Sequence, residues 1–313
     1  MSTRRPGMDH DLYPYSPITT RPRLTWPAGA AVAANIVLHF EDWELDPPKD
    51  AFRDPRYRDP IAELFPQYRI YSWREYGHRI GIFRILDALD RLKLAVTVAA
   101  NTGACQRFPF LVDEFLKRGY EFAAHGHHAT RMITSKMSDA EERDVILSSL
   151  DTLAQFTGTR PRGWVGQDYG ETPRTPRLLA EAGLDYLIDW PNDDQPFAMS
   201  VERVCVDKVS VGKPLISLPA HAEWDDVQAL WTRKILSQRY PDLVVEALTT
   251  LRKEGETSGR YFGLHIHPWL SGKPHRFPYL DRALDRLVAV DGVWWCTADA
   301  AARSFAQTYV PDS

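Results

Sequence analysis

From residue 29 onward the chain alternates between short apolar runs and longer stretches whose apolar residues recur every three or four positions. The short runs are "AAVAANIVLHF" (30–40), "LAVTVAA" (94–100), "YEFAA" (120–124), "RGWV" (162–165), "LDYLID" (184–189), "LISLPA" (215–220), "RYFGLHIH" (260–267) and "GVWWC" (292–296). Their length and bounding polar or glycine residues predict buried strands, with a further hairpin-like strand around "VERVCVD" (201–207). Between them, Ile82, Leu86 and Leu89 mark one face of a helix over 75–91, and Ser138 with Glu141 makes a capping box for a helix running to Gly158. Further helices are predicted over 108–119, 172–183, within 226–254, over 278–290 and over 297–309.

Strand–helix alternation repeated along a chain argues for a parallel sheet with helical crossovers. No G-x-G-x-x-G follows the first strand and no Walker loop occurs, so a closed or nearly closed barrel is favoured over an open nucleotide-binding sheet. Residues 1–28, rich in proline and arginine and without periodicity, read as an arm, and 29–313 as one domain. The stretch 45–70, with Pro47, Pro48, Pro55, Pro60 and Pro66, is long for a connection and reads as either a lid over a site or a subunit contact.

Composition narrows the function. With 38 basic against 42 acidic residues and a formal charge of -4, the chain has no field to hold a polyanion, so nucleic acid is not an expected partner. The apolar runs are strand-sized, so no membrane partner is expected, and the first residues lack the apolar stretch of a secretory signal. Cys105, Cys205 and Cys296 form no CxxC and read as core residues in a reducing compartment, so the expected location is cytoplasmic.

In a (β/α) barrel the chemistry collects where strands end. Glu41 and Asp42 follow the first strand, His125 the third, Trp164 closes "RGW", Asp189 ends "LDYLID", His221 follows "LISLPA", and His267 ends "YFGLHIH". Each alone is unremarkable as a cap, loop or core residue; six strands decorated at one end point to a shared site. A carboxylate and an imidazole on opposite sides of a carbonyl support hydrolysis, one accepting a proton from water and the other donating to the leaving nitrogen.

The segments "HFEDWE", "HGHHATRM", "RPRGWVG", "LDYLIDWPNDDQPF" and "LHIHPWLSGKPHR" resemble, in order, the five motifs of the polysaccharide deacetylase (NodB-homology) family, most of all its branch of metal-independent allantoinase and cyclic imide hydrolases. The resemblance covers roughly residues 29–309 and implies a distorted (β/α)7-type α/β barrel. It implies Glu41 as the catalytic base, Asp42 and His125 as ligands of a divalent, zinc-like metal, Asp189 of the fourth motif as a further catalytic group beside Trp190, and His267 as acid or transition-state stabiliser. Ala129 stands where the family's second ligand histidine is expected, and Val165 where sugar deacetylases often have arginine. A third ligand would then be His128, His127 or His221, giving Asp42, His125 and His128 as the candidate metal set. Trp164, Trp190, His221, His265 and Trp269 are the candidate substrate-binding residues, with His265 either sharing the pocket or supporting His267.

The function this implies is hydrolysis of a non-peptide carbon–nitrogen bond in a small cyclic amide or imide, by an enzyme expected to be a homo-oligomer. Two alternatives stay open: a metal-dependent deacetylase of N-acetyl sugars, and a binding protein that keeps the pocket without turnover.

Overall fold

The structure, a computed structural model, describes residues 9–49, 66–201 and 214–309. The strand expected around "VERVCVD", most of the proline-rich stretch and Cys205 lie outside these residues. Among the described residues nine strands form one sheet: β1 Val32–Phe40, β2 Val96–Ala100, β3 Glu121–Ala124, β4 Gly163–Trp164, β5 Tyr186–Leu187, β6 Phe197–Ala198, β7 Ile216–Ser217, β8 Arg260–Ile266 and β9 Val293–Trp295. Their order is β6-β7-β5-β4-β3-β2-β1-β8, with β9 also pairing β1. β1, β2, β3, β4, β5, β7 and β8 run parallel around a distorted (β/α)7 barrel, and β6 pairs β7 antiparallel.

The first strand shows how sequence becomes layers. Successive side chains of a strand point to opposite faces. Val32, Ala34, Ile36, Leu38 and Phe40 join the core beneath the helices, with Ile82, Ile85 and Leu86 among their neighbours. Ala33 and Val37 face inward and pack with Ala99, Ala123, Val165, Ile188, Leu218 and Tyr261 from other strands. Both faces are covered, which is why the run is apolar throughout instead of alternating.

The barrel is not closed by strand pairing between β7 and β8. Connecting segments fill that gap: the Tyr261 N–H donates to the Asp194 carbonyl at 2.8 Å, and the Gly263 N–H donates to His221 Nδ1 at 3.1 Å. The arm seals the end where the strands begin. Leu24 and Trp26 pack into the inward-facing cluster, and Trp26 Nε1 donates to the Arg260 carbonyl at 2.7 Å.

The helices are α1 Tyr68–Tyr76, α2 Ile82–Leu92, α3 Thr102–Arg107, α4 Pro109–Lys117, α5 Asp139–Thr157, α6 Thr175–Glu181, α7 Tyr240–Gly255, α8 Pro268–Ser271, α9 Phe277–Val288 and α10 Ala298–Tyr309. A π-turn over Gly77–Gly81 joins α1 to α2, so the helix expected from residue 75 starts earlier, at Tyr68. The capping box of α5 is formed: Ser138 Oγ accepts from the Glu141 N–H at 3.3 Å, and Glu141 Oε2 accepts from the Ser138 N–H at 2.7 Å. Among the described residues no helix is long and apolar enough to cross a membrane.

Candidate functional site

The parallel register of β1 and β8 pairs Val37 with His265 and, extended by two residues, sets His39 opposite His267. The two rings accordingly stack, centroids 3.9 Å apart and 18° from parallel. Glu41, two residues beyond His39, has the same inward parity. Its Oε1 lies 3.6 Å from each of three imidazole nitrogens, His39 Nδ1, His125 Nε2 and His267 Nε2. Oε2 accepts from Trp43 Nε1 at 3.0 Å. Burial opposes the charge of Glu41, yet the His267 imidazolium and the facing nitrogens of His125 and His39 hold its carboxyl well below the usual range.

Each ring has its far nitrogen engaged. His125 Nδ1 donates to the Val165 carbonyl at 2.5 Å, His39 Nε2 bonds His265 Nδ1 at 2.9 Å, and His267 Nδ1 donates to Asp226 Oδ1 at 2.6 Å. Asp226 Oδ2 also accepts the His267 backbone N–H at 2.9 Å and the Ser271 hydroxyl at 2.5 Å. Burial alone would lower the pKa of His267, but the carboxylates of Asp226 and Glu41 outweigh it and push it up to about 9. Burial, with the neighbouring charge of His267, takes His39 down to about 3. The site therefore holds a charged imidazole and a neutral one face to face.

Asp42 has the opposite parity and turns away. Its Oδ2 bonds His128 Nδ1 at 2.7 Å, its Oδ1 accepts from Arg107, and its backbone N–H donates to Asn101 Oδ1 at 2.9 Å. His127 bonds Thr102 and Ser148, at 2.7 Å and 2.8 Å. Of the expected metal set, Asp42 and His128 thus pair with each other while His125 faces Glu41, and their ligand atoms do not gather at one point. With Arg107 on Asp42 and Ala129 offering no donor, this set does not fit the ion the family pattern implies.

The remaining candidates divide between pocket and support. Trp269 lines a cavity of about 220 Å³, its open mouth included, together with His39, Glu41, Trp43, Arg74 and His78. The Arg74 guanidinium carbon sits 3.2 Å from the Trp43 ring centroid and 4.4 Å from that of Trp269. His265 lies behind the pocket, bonded to His39. Three residues expected to bind substrate have other surroundings. Trp164 is wholly buried in the helix-facing core, because its parity on β4 points it outward. Trp190 packs edge-on against Tyr13 of the arm, ring centroids 5.4 Å apart. His221 bridges the β7–β8 gap and stacks on Trp224 at 4.5 Å. Asp189, expected among the catalytic groups, accepts the Gly166 N–H at 2.6 Å and shares a buried carboxyl pair with Glu171.

With this geometry in view, the comparisons with known proteins become specific. The family model of polysaccharide deacetylase matches residues 75–187. A Schizosaccharomyces pombe protein assigned to the polysaccharide deacetylases is 24% identical over 310 residues, spanning 92% of this chain and 93% of its own. Over residues 75–187 the chain is similar in sequence to the polysaccharide deacetylase family. A Helicobacter pylori peptidoglycan deacetylase is 22% identical over 253 residues, 74% of this chain and 85% of its own. Among solved structures, the Puue allantoinase superposes with a TM-score of 0.79 at 24% identity, covering 95% of this chain and 98% of its own. A Pseudomonas aeruginosa structure assigned to the polysaccharide deacetylases gives 0.77 at 24% identity, covering 92% and 95%. These likenesses show the polysaccharide deacetylase fold.

Within that family frame, three contributors escaped the sequence reading: His39, Asp226 and Arg74. The first was within reach, since in "LHFED" His39 has the parity of Glu41 and so the same face of the strand. Asp226 sits in "EWDDVQ", six residues beyond the end of "LISLPA", where adjacent aspartates were a visible signal without a partner. Arg74 carries no local signal, because it reaches the pocket only through the packing of α1 against α8.

Proposed function

We propose that this chain hydrolyses a carbon–nitrogen bond in a small cyclic amide or imide, without a tightly bound metal. The observation that carries the reading is the Glu41 oxygen 3.6 Å from three imidazole nitrogens at the base of an aromatic-walled cavity. In this scheme a water lies against Glu41 Oε1. Glu41 accepts one of its protons, and His125, whose Nδ1 is engaged by the Val165 carbonyl, turns its Nε2 toward the same oxygen and orients the water. His267, anchored by Asp226, donates its Nε2 proton to the nitrogen that leaves as the ring opens.

The substrate class follows from what the site offers. A general base and acid suit a carbonyl already activated by a strained or electron-poor ring. The pocket beside Glu41 is walled by Trp43, His78 and Trp269, surroundings that suit a small planar ring. The likeness to an allantoinase structure over nearly the whole chain agrees in fold. A second reading, metal-dependent deacetylation of an N-acetyl sugar, has in its favour the names of the curated relatives. The pairing of Asp42 with Arg107 and His128 stands against it.

The test is turnover on a panel of hydantoins, cyclic imides and acetylated sugars, with and without a chelator, alongside metal analysis of the purified protein. Ring opening that survives chelation is expected, with Glu41→Gln and His267→Ala each slower by at least about 10². Sugar deacetylation abolished by the chelator would replace this reading with the second.

A further inference from the structure

We propose that His265 is a positioning residue: it fixes which nitrogen of His39 carries the proton and, through His39, presents an N–H to Glu41. The inference rests on the reading of Glu41 as the proton acceptor, and it starts from the hydrogen bond between His39 Nε2 and His265 Nδ1, 2.9 Å long and wholly buried.

Two neutral imidazoles share one proton in such a bond, so the chain His265–His39–Glu41 has a direction. The tautomer of an imidazole is set by what its other nitrogen meets. His39 Nδ1 faces Glu41 Oε1 at 3.6 Å, in a site where the carboxylate is charged. A lone pair turned toward that oxygen is repelled and an N–H is attracted, so the proton belongs on Nδ1 of His39. Its Nε2 is then the acceptor, and His265 Nδ1–H the donor.

The far end of the chain agrees. His265 Nε2 and His39 Nδ1 are both buried without a hydrogen-bond partner at ordinary distance, but His39 Nδ1 has the Glu41 oxygen 3.6 Å away. With the direction just derived, His265 Nε2 is a bare lone pair. With the reverse direction it is an N–H with nowhere to donate, and orphaned buried donors are rarer and costlier than under-used acceptors. Both ends favour donation from His265 to His39 and onward to Glu41.

The consequence is orientation. Glu41 gains a directed N–H on the oxygen that faces the water, beside the stacked His267 ring, so the carboxylate is held toward the water instead of rotating. His265 touches neither water nor substrate in this arrangement; it acts through His39. His265 of β8 and His267 just past its end share one face, two residues apart, the second in the chemistry and the first behind it.

The test uses the full chain with two variants. His265→Leu fills the space without a donor. His265→Asn places an amide N–H near where the ring Nδ1–H stood. For a cyclic imide or hydantoin that the wild-type protein opens, the leucine variant is expected to lose kcat by at least about tenfold with KM within about twofold, and the asparagine variant to recover most of that loss. Nitrogen-15 NMR of the histidine rings gives a direct readout in the wild type, with His39 expected as the Nδ1–H tautomer. Wild-type His39 found as the Nε2–H tautomer, or a leucine variant as fast as the wild type, overturns the proposal. Wild-type rates in Glu41→Gln would overturn the reading of Glu41 instead, and the tautomer measurement tells the two failures apart. Should neither variant fold, the wild-type tautomer alone decides.

Discussion

At the scale of single residues, Asp226 has the most exacting position. Its two oxygens accept three hydrogen bonds, from the ring and backbone of His267 and from Ser271, and it is fully buried. An asparagine there keeps the size but offers one acceptor oxygen, and its amide N–H would face a donor. Asp226→Asn is therefore expected to lower kcat by about 10² or more with little change in KM, because the ring that donates to the leaving nitrogen loses its anchor. A steady-state comparison on the substrate identified by the panel checks it. An unchanged kcat would mean that His267 holds its place without Asp226. The same scale shows why the site was only partly legible. Glu41, His125 and His267 stood out because they end apolar strands with inward parity. Asp42 did not join them because one step along a strand reverses the side chain. Trp164 was misjudged for the same reason. Partners that arrive by tertiary packing, Asp226 and Arg74, leave no trace in spacing.

At the scale of elements, the π-turn at Gly77–Gly81 and the short helix α8 hold one wall of the pocket. A Cβ on Gly81 would run into the Pro268 carbonyl oxygen, and one on Gly77 into the backbone of Trp269. The two segments touch backbone to backbone, which brings Arg74 of α1 between Trp43 and Trp269. Gly81→Ala should force them apart, lowering stability by about 1–3 kcal/mol as overpacking does and shifting Trp269 in the cavity. A fall in the urea midpoint together with a raised KM is the expected pair of results; a variant as stable as the parent would show that the turn yields without cost. The long elements were readable from pattern: β1 carries nine apolar-rich residues, and α5 begins at its capping box and ends at Gly158 in the left-handed conformation. The two-residue strands β4, β5 and β7 were not bounded by pattern, since only part of each apolar run pairs before the chain bends into its loop. The helix starting at Tyr68 was truncated in the sequence reading because α1 shows no regular apolar stripe; its neighbours are indoles and a guanidinium.

At the scale of the whole molecule, a barrel open between β7 and β8 leaves polar groups in its interior, and some are carboxyls without counter-ions. Asp189 and Glu171 form such a pair. Burial, then the charge of Asp189, raises Glu171 well above its usual range, and burial raises Asp189 to about 6. Two carboxyls so placed share a proton that the unfolded chain would have released, so folding takes up protons at this site. The sign follows: the contribution to stability is complete below the ordinary carboxylate range and is lost as pH rises through about 6 and beyond. Where the folded state holds one proton more than the unfolded state, stability falls by about 1.4 kcal/mol per pH unit. Replacing Glu171 with glutamine supplies the Asp189 carboxylate with a donor that never ionises, which removes the shared proton. Between pH 5 and 8 the stability of the wild type should therefore decline relative to Glu171→Gln, as read by urea midpoints at each pH. The difference between the curves isolates this pair from His267 and the other groups that titrate in the same interval. Parallel curves would mean that both carboxyls ionise at their ordinary values and that the barrel interior near Asp189 is open to water.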